Sequence, residues 1–357
     1  MYRIENLMLK AVSDNIFPGG VLLVVHKGMV EFFEAYGWAN LFTRERMTRN
    51  TIFDLASLTK PLATTLAMMK LVNDCRLSLN QTIDNFLPGF ANSSKSRINL
   101  EMLLRHTSGY PAHRPYYKTI EQLPIKERKQ KVYDLLCKEP LVNPVGHTTV
   151  YSDLGFMLLA QIVRRVVDEG MDQWLMKHIY TRLGLTTLNF IRHFESLPKG
   201  FFAATELCPI RSKLLCGAVH DDNAYAMGGV CGHSGLFGAA KDVKQLLIVL
   251  LNTYHGKSSF SLFSPRLVRI FFRRPSKAGR ALGFDVPSCG QSSSGAYFSW
   301  DSVGHLGFTG TSFWMDLRKE IIVILLTNRV HPHRNNDVIR KFRPVLHDAV
   351  MVALRCE

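Results

Sequence analysis

Phe53-Asp54-Leu55-Ala56-Ser57-Leu58-Thr59-Lys60-Pro61, followed by an apolar run from Leu62 to Val72, is the stretch on which the reading of this chain turns. It reads as a loop entering a buried helix, with Ser57 at the helix start and Lys60 one turn further on. Residues three apart on a helix share a face, so the serine hydroxyl and the lysine amine can meet. A serine hydroxyl becomes a nucleophile when a nearby base takes its proton, and a lysine whose charge is disfavoured by burial can be that base. The helix N-terminus adds partial positive charge where an oxyanion would form. Ser-x-x-Lys alone is a weak signal. Ser196-Leu197-Pro198-Lys199 matches it too, but Pro198, Gly200 and the lack of a following apolar run mark that copy as a loop.

The 357 residues suit one large domain or two smaller ones, and 46% hydrophobic with 20% charged residues is a globular composition. The longest apolar runs, Leu246 to Leu251 and Ile321 to Leu326, are too short to span a bilayer. Met1 to Glu5 lacks the charged and apolar regions of an export signal. The cysteines, 75, 137, 208, 216, 231, 289 and 356, are odd in number and form no C-x-x-C pair. Both features lead to the expectation of a cytoplasmic protein with reduced thiols. Cys208, Cys216, Cys231 and His233 match no familiar zinc spacing, so neither a metal nor a cofactor is expected.

The net charge of +15 is concentrated in part between residues 257 and 280, where Lys257, Arg266, Arg269, Arg273, Arg274, Lys277 and Arg280 occur without an acid. Such a segment is either a solvated face or a contact surface for an anionic partner. No nucleic-acid motif accompanies it, so no nucleic acid is expected. The interleaved Leu267, Ile270, Phe271 and Phe272 read as a helix docking on a core.

Along the chain, residues 1 to 15 form an amphipathic helix, and Val21 to His26 with Val30 to Trp38 form a hairpin turning at Lys27-Gly28. From about Leu79 loops alternate with helical stretches: Leu100 to Arg105, Ile125 to Cys137, Leu154 to Val167, Met171 to Tyr180 and Asp242 to Leu251. Strand signals return late: Gly304 to Leu317 and Ile321 to Thr327 read as a second hairpin turning at Arg318-Lys319, and a helix from Asp337 to Leu354 closes the chain. The expected fold is α/β (α+β), an antiparallel sheet built from both termini and flanked by helices, with a large, mostly helical insertion. The expected units are a discontinuous sheet domain, 1–78 with 291–357, and an inserted region, 79–290, with the active site between them.

Two further stretches offer partners for Ser57. Tyr151-Ser152-Asp153 is the only Tyr-x-Asn/Asp triplet, just before a helix. A tyrosine beside an ammonium can shuttle protons, while Asp153 is either a functional side chain or the N-cap of that helix. Gly304-His305-Leu306-Gly307-Phe308-Thr309-Gly310-Thr311 opens an apolar strand, where glycines let a backbone approach a ligand and an edge N–H can stabilise an oxyanion.

Together these stretches resemble the serine β-lactamase and penicillin-binding-protein superfamily, in particular its class C-like branch of esterases and D-aminopeptidases. That family carries Ser-x-x-Lys, Tyr-x-Asn and Lys/His-x-Gly in this order. Phe17-Pro18-Gly19-Gly20-Val21, Leu103-Leu104-Arg105-His106-Thr107-Ser108-Gly109 and Gly307-Phe308-Thr309-Gly310-Thr311 support the likeness, which covers nearly the whole chain. The resemblance implies Ser57 as nucleophile, Lys60 as its activator and Tyr151 as proton carrier. It also implies an oxyanion hole from the Ser57 and Phe308 N–H groups, substrate support from Asp153, His305 and Gly307, and an acyl-enzyme on Ser57 without metal. His220 and His233, in a block shared by a subgroup, are expected as structural hydrogen-bonders, and His106 as a loop organiser.

Asp153 stands where relatives of this type carry Asn, and His305 where many carry Lys. The site has thereby lost a positive charge and gained a negative one, which disfavours a substrate carboxylate by roughly a few kcal/mol. The expectation is a serine hydrolase acting on an ester or amide of a small, non-anionic substrate. A β-lactamase, a D,D-carboxypeptidase or an amidase of peptidoglycan fragments is the first alternative. A non-catalytic ligand- or partner-binding homologue is the second. No Gly-x-Ser-x-Gly elbow is present for an α/β-hydrolase.

Overall fold

A computed structural model describes residues 2–193, 200–257, 262–275 and 279–355. The Ser196 to Lys199 match, Lys277 and Cys356 lie outside the described residues. Six strands form one antiparallel sheet: β1 (Gly19–His26), β2 (Met29–Asn40), β3 (Glu45–Arg46), β4 (Val303–Leu306), β5 (Ser312–Asp316) and β6 (Ile321–Thr327), in the order β3-β2-β1-β6-β5-β4. The first and last parts of the chain meet at its centre, where Gly20 faces Thr327 and His26 faces Ile321.

The hairpins form where the turn residues direct them. Lys27 and Gly28 both have positive φ, 51° and 83°, which suits a tight turn matched to strand twist. At the other hairpin the Asp316 carboxylate accepts from the Arg318 and Lys319 N–H groups at 3.0 and 2.9 Å. All seven residues of β6 are buried, because both faces of the sheet are covered. Leu22, Val24, Val323 and Leu325 pack with Ile4, Met8, Phe342 and Leu346 from the two terminal helices. Val21, Leu23, Ile322 and Ile324 join the larger core shared with the helical insertion.

One expected strand is two. Gly304 to Leu317 breaks into β4 and β5 around a reversal at 307–311, where Gly310 has φ 111° and the Gly307 N–H donates to the Thr311 carbonyl at 2.7 Å. This loop is fastened to the segment before Ser57: Thr309 Oγ1 donates to the Asp54 carbonyl at 2.7 Å and Thr311 Oγ1 to that of Leu55 at 3.0 Å.

The apolar residues of the basic segment pack inward, while Arg266, Arg269 and Arg273 are exposed. Leu267, Phe271 and Phe272 of the Pro265–Phe272 helix are buried, whereas Ile270 is exposed. Lys257 pairs with Glu320, Arg280 with Asp285, and Arg274 stacks on Trp300 at 3.8 Å. Among the described residues no helix is long and apolar enough to cross a membrane.

Candidate active site

Ser57 sits in a short 3₁₀ turn, Ala56–Leu58, and Lys60 opens a π-helical segment, Lys60–Thr65, that continues as the α-helix Leu66–Asn73. Ala56 has φ 47°, a left-handed conformation that costs a residue with a Cβ about 1–2 kcal/mol. Its neighbours hold it there. The buried Asp54 carboxylate accepts from the Ala56 N–H at 2.8 Å and from the His220 N–H at 2.7 Å. Thr59 Oγ1 donates to the Ala56 carbonyl at 2.6 Å. Short strands, Phe53–Asp54 paired to Leu236–Gly238 and that to Asn189–Phe190, brace the loop from behind.

Lys60 is fully buried, with Nζ 3.0 Å from Ser57 Oγ, 2.8 Å from Asp153 Oδ1 and 3.2 Å from the His233 carbonyl. The Tyr151 ring centroid lies 4.8 Å from the same nitrogen. Ser57, Tyr151, Asp153 and Phe308 line one cleft of about 360 Å³. The Phe308 N–H donates to no acceptor among the described residues.

The charge of Lys60 corrects the sequence reading. Burial alone pushes the amine toward its neutral form, as expected, but the negative charge of Asp153, reinforced by Tyr151, outweighs it and the net shift is upward. Asp153 moves the opposite way: burial raises its carboxyl, and Lys60, His113 and His233 together pull it well below the usual range. The two groups therefore form an ion pair at neutral pH, with Lys60 donating to Ser57 rather than waiting as a free base.

Asp153 is free to make this pair because it does not cap its helix. Ser152 is the N-cap, accepting from the Gly155 N–H at 3.4 Å, and Asp153 is the first helical residue. The loop before it is set by His106, whose Nδ1 accepts from the Ser152 N–H at 3.0 Å and whose ring lies 4.6 Å from that of Tyr151.

His305 is placed behind Tyr151, at 5.9 Å between ring centroids, and is not part of the cleft wall. It is 2% exposed, and burial followed by the charges of Lys60 and Arg280 lowers its pKa well below the ordinary value, so it is neutral. Arg280, which no motif marks, has its guanidinium 5.3 Å from the Tyr151 ring centroid and 2.8 Å from Asp285. A positive group thus does stand behind Tyr151, but a carboxylate already pairs with it. Gly307 packs on the nucleophile loop: a Cβ there would lie 2.0 Å from Thr311 Oγ1 and 2.7 Å from the Leu55 carbonyl oxygen. Gly307→Ala is expected to displace the Phe308 N–H and lower kcat by about 10²-fold, more than a modest fall in Tm accounts for; steady-state rates beside thermal melts check this.

Beyond the three motifs, the sequence singled out His220 and His233 of this cleft but not the remaining wall. His113 Nδ1 lies 3.4 Å from Asp153 Oδ2, and Asp221, Asp222 and Arg334 contribute to the wall. His233 Nε2 meets Asp221 Oδ1 at 2.9 Å, and Cys231 Sγ lies 3.1 Å from His233 Nδ1. Of the four residues weighed for zinc, only Cys231 and His233 meet, and among the described residues no group of three or more His, Cys, Asp or Glu is arranged to hold a metal ion. His220 Nε2 pairs with Glu206 at 3.0 Å, and its ring stacks on Phe308 at 5.6 Å. Arg334 is bidentate on Glu206, with Nε at 2.8 Å from Oε1 and Nη2 at 2.6 Å from Oε2.

Comparison with known proteins gives this geometry a context. The Beta-lactamase family profile matches residues 4–344. A protein of Salmonella schwarzengrund named "Putative D-alanyl-D-alanine carboxypeptidase" is 32% identical, over 93% of this chain and 83% of its own length. Among solved structures, EstCE1, "a hydrolase with promiscuous acyltransferase activity", superposes with a TM-score of 0.75 at 22% identity, covering 96% of this chain and 98% of that one. The octameric penicillin-binding protein homologue from Pyrococcus abyssi superposes with a TM-score of 0.76 at 20% identity, covering 99% and 77%. At these identities the two structures speak for the fold.

Proposed function

Because the chain belongs to the beta-lactamase family and is a serine hydrolase, we propose that Ser57 is its nucleophile and that it cleaves an ester or amide of a small, non-anionic substrate through an acyl-enzyme. The observation that carries this reading is the position of Lys60 Nζ between Ser57 Oγ and the Asp153 carboxylate, at 3.0 and 2.8 Å. Lys60 acts as a fixed cation that favours the serine alkoxide. Tyr151, beside Lys60, relays protons: its oxygen takes the serine proton as its own proton goes to the leaving group, and in deacylation it takes a proton from water as its own returns to Ser57 Oγ. The N–H groups of Ser57 and Phe308 receive the oxyanion. The Ser-x-x-Lys, Tyr-x-Asp and His-x-Gly order supports reading the chain as a member of the class C-like branch.

The substrate class follows from charge. Lys60 faces Asp153, His233 faces Asp221, and Arg334 faces Glu206 with Asp222. Among the described residues these cations around the cleft are each engaged by a carboxylate, so a substrate carboxylate would have to displace one. Asp153→Asn is expected to keep the fold and shift selectivity by about 10- to 100-fold toward a carboxylate-bearing substrate. The ratio of kcat/KM for a neutral ester and its carboxylate analogue, in wild type and variant, measures it.

The Salmonella relative's name supports a second reading, a D,D-carboxypeptidase, whose substrate ends in a carboxylate. Purified enzyme offered a neutral p-nitrophenyl ester, a penicillin and a peptide ending in D-Ala-D-Ala separates the two. Preferred turnover of the ester supports the first reading; efficient cleavage of the peptide or the penicillin overturns it. A cytoplasmic location remains part of the proposal, supported by the six described cysteines, all unpaired.

A further inference from the structure

Asn328-Arg329 follows directly on β6, and the asparagine ties that strand end to the sheet. Its Oδ1 accepts from the Gly19 N–H at 3.0 Å, and its Nδ2 donates to the Trp38 and Ala39 carbonyls at 3.2 and 3.1 Å. Arg329 therefore leaves from a fixed point. It is 5% exposed, and its guanidinium bridges two segments that wall the Ser57 cleft. Nε donates to the Phe308 carbonyl at 2.9 Å, and Nη1 donates to the Arg334 and Asn336 carbonyls at 3.1 and 2.6 Å. Asp337 Oδ1 lies 3.2 Å from the same Nη1. Phe308 and Arg334 both line the cleft.

Phe308 depends on such a hold. It is 49% exposed in the loop between β4 and β5, and its ring meets the His220 ring at 5.6 Å and the Arg329 guanidinium at 4.7 Å. The other side-chain ties of this loop reach its later residues. The Thr309 and Thr311 hydroxyls grip the nucleophile segment, Thr327 Oγ1 donates to the Gly310 carbonyl at 3.0 Å, and Arg343 Nη2 donates to that of Thr311 at 3.1 Å. Among the described residues, the bond from Arg329 is the one side-chain hydrogen bond made to Phe308 itself. The Phe308 N–H and carbonyl belong to adjacent rigid peptide planes joined at one Cα, so pinning the carbonyl limits how far the N–H can swing.

We infer that Arg329 is a positioning residue that aims the Phe308 N–H at the oxyanion, an inference that rests on Ser57 as nucleophile and on that N–H as half of the oxyanion hole. The planar fork of an arginine holds three carbonyls from two segments at once, which a lysine ammonium on a flexible stem does not. A group misplaced by about 1 Å costs about 10²-fold in rate. Stabilisation that exists only in the transition state is lost from kcat while KM stays.

Arg329→Met and Arg329→Gln test this in the full chain. Both remove the charge and the Nη1 bonds. The glutamine amide nitrogen falls where Nε was and can still donate to the Phe308 carbonyl, whereas methionine places a methyl group there. Each variant is assayed on p-nitrophenyl acetate and on its thionoester, whose sulfur accepts hydrogen bonds weakly and gains little from the hole. The ratio of the two rates does not depend on how much of the sample is folded, so lost stability leaves it unchanged. Expected in Arg329→Met is a fall of about 10²-fold in kcat on the ester at similar KM. The ester-to-thionoester ratio should fall about tenfold or more. Arg329→Gln should recover about tenfold in kcat, the worth of one hydrogen bond. Asp337→Asn, which removes the ion pair and leaves the bond to Phe308, is expected to keep the wild-type ratio. Where Arg329→Met gives no soluble enzyme, Arg329→Lys takes its place. Wild-type protein is first labelled with a fluorophosphonate. With an adduct on Ser57, a wild-type ratio in Arg329→Met or an equal fall in Asp337→Asn overturns the role of Arg329 and leaves Ser57 standing. No adduct on Ser57 overturns both.

Discussion

Ser57→Ala is expected to lower kcat by about 10⁴-fold or more on any ester the wild type cleaves, because no other group can form the acyl intermediate. The fold should be unaffected, since a small side chain at the mouth of the cleft is lost and the bonds that seat Ala56, from Asp54 and Thr59, are retained. A melting curve matching wild type beside an absent burst of product is the expected pair of results. Substantial residual turnover would mean that the nucleophile lies elsewhere.

Lys60→Met tests the ion pair and is expected to cost both activity and stability. Methionine fills most of the buried volume but leaves the Asp153 carboxylate without its ammonium partner, with the His113 imidazole 3.4 Å away. Breaking one side of a buried pair costs about 3 kcal/mol. Loss of the cation beside Ser57 Oγ should lower kcat by about 10³-fold. The stability loss has a defined pH dependence. The Asp153 carboxyl is held below its unfolded value, so its contribution is complete above about pH 4 and is lost as pH falls through the depressed folded value. The Lys60 amine is held above its unfolded value, so its contribution is complete below about pH 10 and is lost as pH rises through the folded value. The Tm difference between wild type and Lys60→Met should therefore be greatest near neutrality and shrink toward strong acid. A difference independent of pH would indicate lost packing instead of lost charge.

The architecture was legible where local chemistry and tertiary structure agree. Lys27-Gly28 announces its hairpin, the unbroken apolar runs Val21 to Val25 and Ile321 to Leu326 mark strands covered on both faces, and Ser57 with Lys60 falls on one turn. The split between β4 and β5 was hidden because apolar residues flank it on both sides, and Gly307 and Gly310 also suit a strand next to a ligand. The strands Phe53–Asp54 and Leu236–Gly238 are too short to carry any periodicity. Charge was the hardest feature to read. Sequence spacing shows that Lys60 is buried, but the sign of its shift depends on Asp153, brought in by another helix. Arg280 enters the site from the basic segment, whose charges read as surface. His305 and Tyr151 were identified together, yet only the packed structure shows that the histidine lies behind the tyrosine.

The central claim is that Ser57 attacks the substrate, and covalent labelling tests it most directly. Purified protein is incubated with a fluorophosphonate and, separately, with a fluorescent penicillin, digested, and the modified residue located by mass spectrometry. The expected result is a phosphonyl adduct on Ser57, lost in Lys60→Met and Tyr151→Phe, with little or no penicilloyl adduct. A phosphonyl group on any other residue, or none on the active wild-type enzyme, would contradict it.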